Sequence, residues 1–204
     1  CDWSRNRFTM DDDLSKAVIK TFVQLYKKKL IYKDTKLVNW DTKLETAISD
    51  LEVEQKEVQS NLYYIKYKIK NSDSFLTIAT TRPETMLGDT AVAVNPKDIR
   101  YQKYIGKKIT VPIADREVEI IADSYVSIEQ GSGALKVTPA HDFNDFEIGR
   151  RHKLKFINIF EKNGTLNKNV PKEFINLDRF KAREEIIKIL KNKNLLEKID
   201  NIKN

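Results

Sequence analysis

Apolar and polar residues alternate with helical periodicity near the start of the chain. After Thr9, the acidic residues 11–13 precede Leu14, Val18 and Phe22, which recur every three or four positions. Apolar residues at this spacing share one face of a helix, and acidic residues in a first turn favour the positive end of the helix dipole. The pattern predicts an amphipathic helix of about five turns.

The middle of the chain alternates with a period of two. In residues 63–70, Ile65, Tyr67 and Ile69 share one face and lysines occupy the other, which predicts a half-buried strand. The turn residues 71–74 lead into the apolar run 75–79, so a hairpin is expected. Short apolar runs predict further strands at residues 36–40, 50–54, 91–94, 108–112, 117–122, 134–138 and 156–160.

Two more helical patterns lie in the second half of the chain. Residues 142–152 predict a short helix with Asp142 as its N-cap and with Phe146 and Gly149 near its inner face. Residues 178–193 predict a longer helix with an apolar stripe formed by Phe180, Ile186, Ile187 and Leu190. Many short strands with helices between them indicate a compact mixed α/β domain, barrel-like with peripheral helices and a basic terminal extension.

Composition places the chain among ordinary globular proteins. Of its 204 residues, 40% are hydrophobic and 33% are charged, a balance that permits a core and argues against disorder. Its apolar runs fall short of the roughly 18 residues that span a bilayer, and the first residues lack the apolar region of a signal peptide. We therefore expect a cytoplasmic protein, and a monomer.

The charge and the cysteine content narrow the partners and cofactors. The formal net charge of +7 favours a polyanionic partner such as nucleic acid, although a lysine-rich proteome would give the same balance. Cys1 has no second cysteine with which to form an internal disulfide, and His141 and His152 are too few to complete a zinc site of the usual kind. We expect no metal and no other cofactor.

Familiar catalytic motifs are absent from the sequence. It has no glycine-rich phosphate loop, dinucleotide fingerprint, nucleophile elbow or His-Glu-x-x-His pair. Residues 131–133 are Gly-Ser-Gly, but a predicted strand follows them, whereas a phosphate cradle needs a helix. Two polar stretches, residues 80–85 and 134–145, remain as candidates for chemistry.

The stretch 134–145 offers several functional groups at one strand end. Lys136 and Thr138 share a strand face, and Asp142 and Asp145 lie three apart in a helical first turn. An ammonium, a hydroxyl and two carboxylates would thus converge. A structural interpretation is also compatible with the spacing: Asp142 caps the helix, Asp145 complements its dipole, and Lys136 is a solvated strand residue.

The stretch 80–85, Thr-Thr-Arg-Pro-Glu-Thr, also has two interpretations. Its three threonines could end a strand and start a helical turn at Pro83, a favoured first position, while Arg82 stays at the surface. A strand end that leads into a turn rich in hydroxyls is also how a site for a small polar ligand is built.

Several motifs together carry a family resemblance. The sequence reads TTRPETMLGDTAVAVNP at 80–96, GSGALKVTPAHDFNDFEIGRRHKL at 131–154, CDWSRNRFTMDD at 1–12 and LVNWDTKLETAISDLEVE at 37–54. These stretches closely resemble the editing insertion of bacterial valyl-tRNA synthetases, which are class I enzymes. The ATP-handling signatures of HIGH and KMSKS type are missing. The resemblance therefore implies an editing domain, residues 51–204, with a segment leading in from the catalytic domain, residues 1–50.

The resemblance also implies a reaction and a partner. That insertion hydrolyses the ester of mischarged Thr-tRNA(Val), whereas ATP and Mg²⁺ serve the parent enzyme at a site absent here. Asp145 resembles the anchor of the substrate's α-ammonium, and Lys136, Thr138 and Asp142 resemble residues around the threonine side chain and the water. The residues that resemble those around the terminal adenosine and the attacked carbonyl are Thr80, Thr81, Arg82 and Thr85. Two alternatives stay open: a non-catalytic module that binds the tRNA acceptor end, and a purely structural domain in a basic proteome.

Overall fold

A computed structural model describes residues 1–54 and 56–203, which divide into two compact units. The first unit, Cys1–Lys36, contains a 3-10 turn, Trp3–Arg5, and helix α1, Asp12–Lys27. The predicted amphipathic helix is thus confirmed, with Asp12 and Asp13 in its first turn. Its apolar side chains Val18 and Phe22 are exposed.

The second unit begins at Leu37 and contains nine strands and two helices within its described residues. The strands are β1 (Asn39–Asp41), β2 (Thr46–Ile48), β3 (Gln59–Ile69), β4 (Phe75–Thr80), β5 (Ala91–Val94), β6 (Lys108–Val111), β7 (Arg116–Ala122), β8 (Ala134–Val137) and β9 (Leu196–Lys203). The helices are α2 (Phe143–Arg151) and α3 (Arg179–Asn192). A 3-10 turn, Pro83–Gly88, joins β4 to β5 and is called the 83–88 turn below.

Seven strands form one strongly curved sheet. Its order is β4-β3-β6-β7-β5-β8, and β9 pairs with β3. Strands β5 and β7 run parallel, and the other pairs are antiparallel. The outer strands β4 and β8 contact each other, so the sheet is nearly closed. The predicted mixed α/β, barrel-like fold is therefore confirmed.

The core lies inside this sheet and under helix α3. Ile65, Tyr67 and Ile69 of β3 are buried, as the alternating pattern predicts. Helix α3 contributes Ala182, Ile186 and Leu190, which are fully buried at a spacing of four residues. The predicted stripe was correct for Ile186 and Leu190 and wrong for Phe180, which is 53% exposed beside the guanidinium groups of Arg179 and Arg183.

Three predicted segments differ from the structure. Asp50–Glu52 is a 3-10 turn because Ser49 and Glu52 form a reciprocal capping box at its start. Residues 156–160 make only a single bridge, between Phe160 and Leu166. Residues 196–203 form strand β9 and not a basic terminal extension, because their backbone pairs with β3 from Gln59 to Ile65.

The first compact unit ends at Lys36. Strands β1 and β2 form a hairpin that belongs to the second unit. The indole of Trp40 donates a hydrogen bond to the carbonyl oxygen of Lys162, 2.8 Å away. This hairpin is thus tied to a distant part of the sequence within that unit. None of the described helices is long and apolar enough to cross a membrane.

Candidate functional site

The eight predicted site residues line one open cavity of about 250 Å³. Four lie on the segment that runs from the end of β4 into the 83–88 turn, and four lie on the segment that runs from β8 into the first turn of α2. The two chain segments meet because β4 and β8 close the sheet. The cavity also touches Leu62, Ala79, Tyr125, Leu135, His141 and Asn144.

The first wall is held in place by its own hydroxyl groups. Thr80 Oγ1 accepts a hydrogen bond from the backbone amide of Arg82 at 3.1 Å. Thr85 Oγ1 donates to the carbonyl of Arg82 at 2.9 Å, and Pro83 starts the turn. The Arg82 guanidinium donates to the carbonyl of His141 at 3.1 Å and so links this wall to the opposite one. Thr81 lines the cavity beside them.

The second wall contains a buried lysine. Lys136 in β8 and Thr138, which directly follows that strand, are 7% and 1% exposed. The Lys136 ammonium donates to Thr138 Oγ1 at 2.7 Å. The interpretation of Lys136 as a solvated strand residue is therefore wrong. A buried ammonium requires nearby acceptors, and the second wall supplies them.

The two aspartates of helix α2 have different surroundings. Asp142 is exposed and caps the helix, since its Oδ1 accepts from the amides of Asn144 at 2.8 Å and Asp145 at 3.1 Å. Asp145 is 5% exposed, and its Oδ2 accepts from the Thr138 amide at 2.8 Å. Burial raises the pKa of Asp145 to about 6, against the opposing effect of the Lys136 charge. The structural role of Asp142 as a cap is confirmed, and Asp145 adds a buried carboxylate to the cavity wall.

A further carboxylate, Asp89, lies directly behind the second wall. It is fully buried and accepts hydrogen bonds from Thr138 Oγ1 at 2.7 Å and from Tyr67 OH at 2.8 Å. The sequence patterns assigned neither Asp89 nor Tyr67 to the candidate site. Two sequence signals indicate such a buried polar contact. One is a carboxylate between the buried apolar stretches 86–88 and 91–94, and the other is a tyrosine on an apolar strand face.

His141 lies at the cavity but has structural partners. Its Nε2 accepts a hydrogen bond from the amide of Ile159 at 3.0 Å, and its ring packs edge-on against Phe160. Burial, together with the charges of Arg82 and Lys136, lowers the pKa of His141 to about 3. The ring is therefore neutral at pH 7 and a weak base, which suits a structural role better than proton transfer.

The 83–88 turn is fixed on its outer side by an ion pair. Glu84 is fully buried, and both of its oxygens accept from the Arg183 guanidinium of α3 at 2.7 Å. On the inner side, a Cβ on Gly88 would lie 3.1 Å from the carbonyl oxygen of Ile157 and from a methyl of Thr138. The turn thus approaches the second wall so closely that a side chain at position 88 would require its neighbours to move by a few tenths of an ångström.

A larger groove of about 820 Å³ adjoins the cavity and shares Arg82, His141 and Asp142 with it. Its other lining residues include the aromatic Trp40, Phe143 and Phe160 and the basic Lys162 and Arg179. Aromatic and cationic side chains in one groove are typical of single-stranded nucleic acid sites. Across the described residues, no group of three His, Cys, Asp or Glu side chains is arranged to hold a metal ion.

Known proteins resemble the chain over its whole length. A family profile, tRNA synthetases class I (I, L, M and V), matches residues 1–202. The valine-tRNA ligase of Pelagibacter ubique HTCC1062 is 64% identical over 204 residues, which are 100% of this chain and 23% of that protein. The valine-tRNA ligase of Legionella pneumophila strain Lens is 57% identical, over 98% of this chain and 22% of that protein. The chain thus spans less than a quarter of these relatives.

Two solved structures share the fold. One is the LeuRS of Agrobacterium radiobacter K84 (agnB2) in a ternary complex with tRNA and LeuAMS, with 17% identity and a TM-score of 0.57 over 96% of this chain and 33% of that one. The other is GlLeuRS-CP1, with 11% identity and a TM-score of 0.54 over 68% of this chain and 98% of that one. At these identities the similarity concerns the fold alone. The family match and the high identity to valine-tRNA ligases confirm the resemblance expected from the sequence, and the chain belongs to the class I tRNA synthetases.

Proposed function

We propose that the second unit is an editing domain that hydrolyses the aminoacyl ester of Thr-tRNA(Val). The observation that carries this proposal is the single cavity in which Asp145 and the Lys136–Thr138 pair face the Thr80–Thr85 stretch. It combines a buried carboxylate, an ammonium and hydroxyl groups in a small space. These are the groups that can hold a charged amino acid ester and a water molecule.

The size of the cavity supports a small substrate group. About 250 Å³ lies just below the range of roughly 300–1,000 Å³ found for drug-sized ligands, and suits a single amino acid. Threonine is the amino acid that a valine site most needs to exclude. Valyl-tRNA synthetases are a well-known case in which a hydrophobic site rejects the added hydroxyl only about 10²-fold, so a second, hydrolytic site is required.

The chemistry requires little from the protein beyond positioning. A water oxygen adds to the ester carbonyl carbon, the bond to the ribose oxygen breaks, and that oxygen takes up a proton. Asp145 would bind the α-ammonium by a charge-assisted hydrogen bond and so align the carbonyl. The guanidinium of Arg82 would stabilise the negative charge that develops on the carbonyl oxygen, while Lys136 would face the threonine side chain. His141 is engaged with Ile159, so this proposal uses water and not an acyl-enzyme.

The adjoining groove suits the nucleotide part of the substrate. Its aromatic rings offer stacking surfaces for bases, and Lys162 and Arg179 offer positive charge for phosphates. We infer that the groove receives the acceptor end of tRNA(Val) while the esterified amino acid enters the cavity. This chain spans less than a quarter of the valine-tRNA ligases that it matches. ATP-dependent aminoacylation would then belong to other parts of such a synthetase.

The test is a pair of deacylation time courses with Thr-tRNA(Val) and Val-tRNA(Val). We expect hydrolysis of the threonyl ester and sparing of the valyl ester, since a site that pairs a hydroxyl rejects its analogue by up to roughly 10⁴-fold to 10⁵-fold. Binding that falls steeply with salt, without hydrolysis, would instead identify a tRNA-binding module. If the chain neither binds the tRNA nor hydrolyses the ester, the structural-domain alternative is supported.

Substitution of Asp142 tests whether this residue recognises the threonine side chain. Asp142→Ala should narrow the ratio of threonyl to valyl rates if Asp142 contacts the threonine hydroxyl. Asp178→Ala is the matched control, because Asp178 caps α3 in the same way, outside the cavity. An equal loss on both substrates for Asp142→Ala would leave Asp142 with its role as a helix cap alone.

A further inference from the structure

Asp89 directly follows the 83–88 turn and joins a hydrogen-bond network with side chains from β3 and from the end of β8. Its Oδ1 accepts from the Thr138 hydroxyl and lies 3.7 Å from the Lys136 ammonium. Its Oδ2 accepts from the Tyr67 hydroxyl of β3. Asp89 itself does not line the cavity, whereas Lys136 and Thr138 do. Asp89 therefore reaches the cavity wall through its hydrogen bond to Thr138 and through the effect of its charge on Lys136 and Asp145.

The direction of every hydrogen bond in this network is determined. Burial raises the pKa of Asp89 to about 6, so the carboxylate is mainly ionised at pH 7 and can only accept. The single hydroxyl proton of Thr138 is consequently directed at Asp89. Thr138 Oγ1 then accepts from Lys136, which has no acceptor groups of its own.

The backbone around Asp89 is held on both sides. Its amide donates to the carbonyl of Met86 at 3.0 Å, and its carbonyl accepts from the Arg116 guanidinium at 2.9 Å. The next residue, Thr90, donates its amide to the carbonyl of Val137 in β8 at 2.9 Å. The carboxylate therefore has a fixed place relative to Lys136 and Thr138, as a positioning group requires.

We propose that Asp89 is a positioning residue that sets which polar groups the editing cavity presents to its ligand, a role that rests on the proposed function. With the Thr138 proton directed at Asp89, the cavity meets N–H donors of Lys136 and an accepting lone pair of Thr138. A ligand hydroxyl can accept from Lys136 and donate to Thr138 Oγ1 at the same time. A methyl group at the same place can do neither, so it shields the remaining N–H donors of Lys136 and the remaining lone pair of Thr138 from water without pairing them.

The kinetic test compares Asp89→Asn, Tyr67→Phe and the control Asp98→Asn. Asp98 is also buried, but it pairs with Arg100 away from the cavity. Asp89→Asn should lower the rate on Thr-tRNA(Val) by roughly 10-fold to 100-fold, the equivalent of one charged hydrogen bond, and should narrow the threonyl-to-valyl ratio. Tyr67→Phe should act in the same direction but less, and Asp98→Asn should match the wild type.

A double-mutant cycle shows whether Asp89 acts through Thr138. In a Thr138→Val background, Asp89→Asn should have a much smaller further effect on the rate, because the hydroxyl that it positions is gone. Full additivity of the two substitutions would overturn the proposal. Wild-type rate and selectivity in Asp89→Asn would overturn it too, while the deacylase function would stand.

A second readout does not depend on hydrolysis. Lysine acylation by acetic anhydride, mapped by peptide mass spectrometry, should modify Lys136 slowly in the wild type because it is buried and held. In Asp89→Asn, modification should rise several-fold at Lys136 and stay unchanged at exposed lysines. Unchanged Lys136 reactivity, or an equal rise at half-buried and exposed lysines, would show that Asp89 does not position this side chain. This result holds even if the chain proves inactive on Thr-tRNA(Val).

Discussion

Two buried clusters lie at opposite ends of the 83–88 turn, and each is built around a carboxylate. In the scaffold cluster, Glu84 binds the Arg183 guanidinium of α3 through two hydrogen bonds of 2.7 Å. In the pocket cluster, Asp89 binds two hydroxyl groups and lies 3.7 Å from the Lys136 ammonium. Both carboxylates are fully buried.

The difference between the clusters lies in their charge balance. Glu84 has a bidentate cation, whereas Asp89 and Asp145 share one buried ammonium, Lys136. Burial raises the pKa of each of these two aspartates to about 6, although the Lys136 charge opposes the shift. An excess of buried carboxylates is costly for stability and is characteristic of functional sites. The scaffold cluster therefore stabilises the fold, and the pocket cluster provides the proposed chemistry.

The largest expected effect concerns function and falls in the pocket cluster. Asp145→Ala should lower hydrolysis of both threonyl and valyl esters by roughly 10²-fold or more, because both substrates carry the α-ammonium that it would align. The fold should survive, which circular dichroism can verify. Asp145→Asn, which keeps an acceptor for the Thr138 amide, should show the same loss. Unchanged rates, or a lost fold in both variants, would remove this role from Asp145.

In the scaffold cluster, the expected effect concerns stability. Arg183→Met leaves Glu84 buried without its bidentate partner and should cost about 3–5 kcal/mol in the free energy of unfolding. The half-exposed Arg82, 3.7 Å from Glu84, compensates only in part. Urea denaturation of Arg183→Met and of the double variant with Glu84→Gln provides the measurement. If the double variant is no more stable than the single one, the loss of stability does not come from an unpaired Glu84 charge.

The pH dependence of stability should also separate pocket from scaffold. The folded-state pKa of Asp89 is raised to about 6 from its ordinary 3.8. The contribution of the protonated carboxyl group to the free energy of unfolding is therefore fully present below pH 4 and is lost as the pH rises through 6. Asp89→Asn removes this loss. From pH 4 to pH 7, the variant should gain about 1–3 kcal/mol relative to the wild type.

A control for this pH effect has the opposite sign. Hydrogen bonds from Arg100 lower the pKa of Asp98, so its contribution is lost as the pH falls. The wild type should therefore gain stability relative to Asp98→Asn as the pH rises. Urea titrations at several pH values measure both differences. A flat difference for Asp89→Asn would show that its carboxylate does not titrate in this range.

The smallest expected effect distinguishes the two helix caps. Asp142 caps α2 in the pocket region, and Asp178 caps α3 in the scaffold region. Replacing either by alanine should cost about 1 kcal/mol, because two amide groups lose their acceptor. Only Asp142→Ala should also change deacylation. If Asp178→Ala changes selectivity as much, the effect comes from loosened helices and not from the cavity.

Local patterns were sufficient for much of the fold. Alternation in β3, helical spacing in α1 and the cap at Asp142 depend on neighbours in sequence, and the structure confirms them. Residues 50–54 and β9 were missed for opposite reasons. A capping box overrode the strand pattern in the first, and pairing with the distant β3 imposed a strand on the second.

The sequence alone determined the family resemblance, the barrel-like α/β fold and which eight residues line one cavity. These properties follow from motifs and periodicities that neighbouring residues carry. Only the tertiary structure decided that Lys136 is buried, that Asp89 and Tyr67 lie behind it, and that Arg183 neutralises Glu84. Burial and partner choice depend on contacts between segments as far apart as Glu84 and Arg183, because closure of the sheet and packing of α3 bring these charges together. No local pattern encodes that distance.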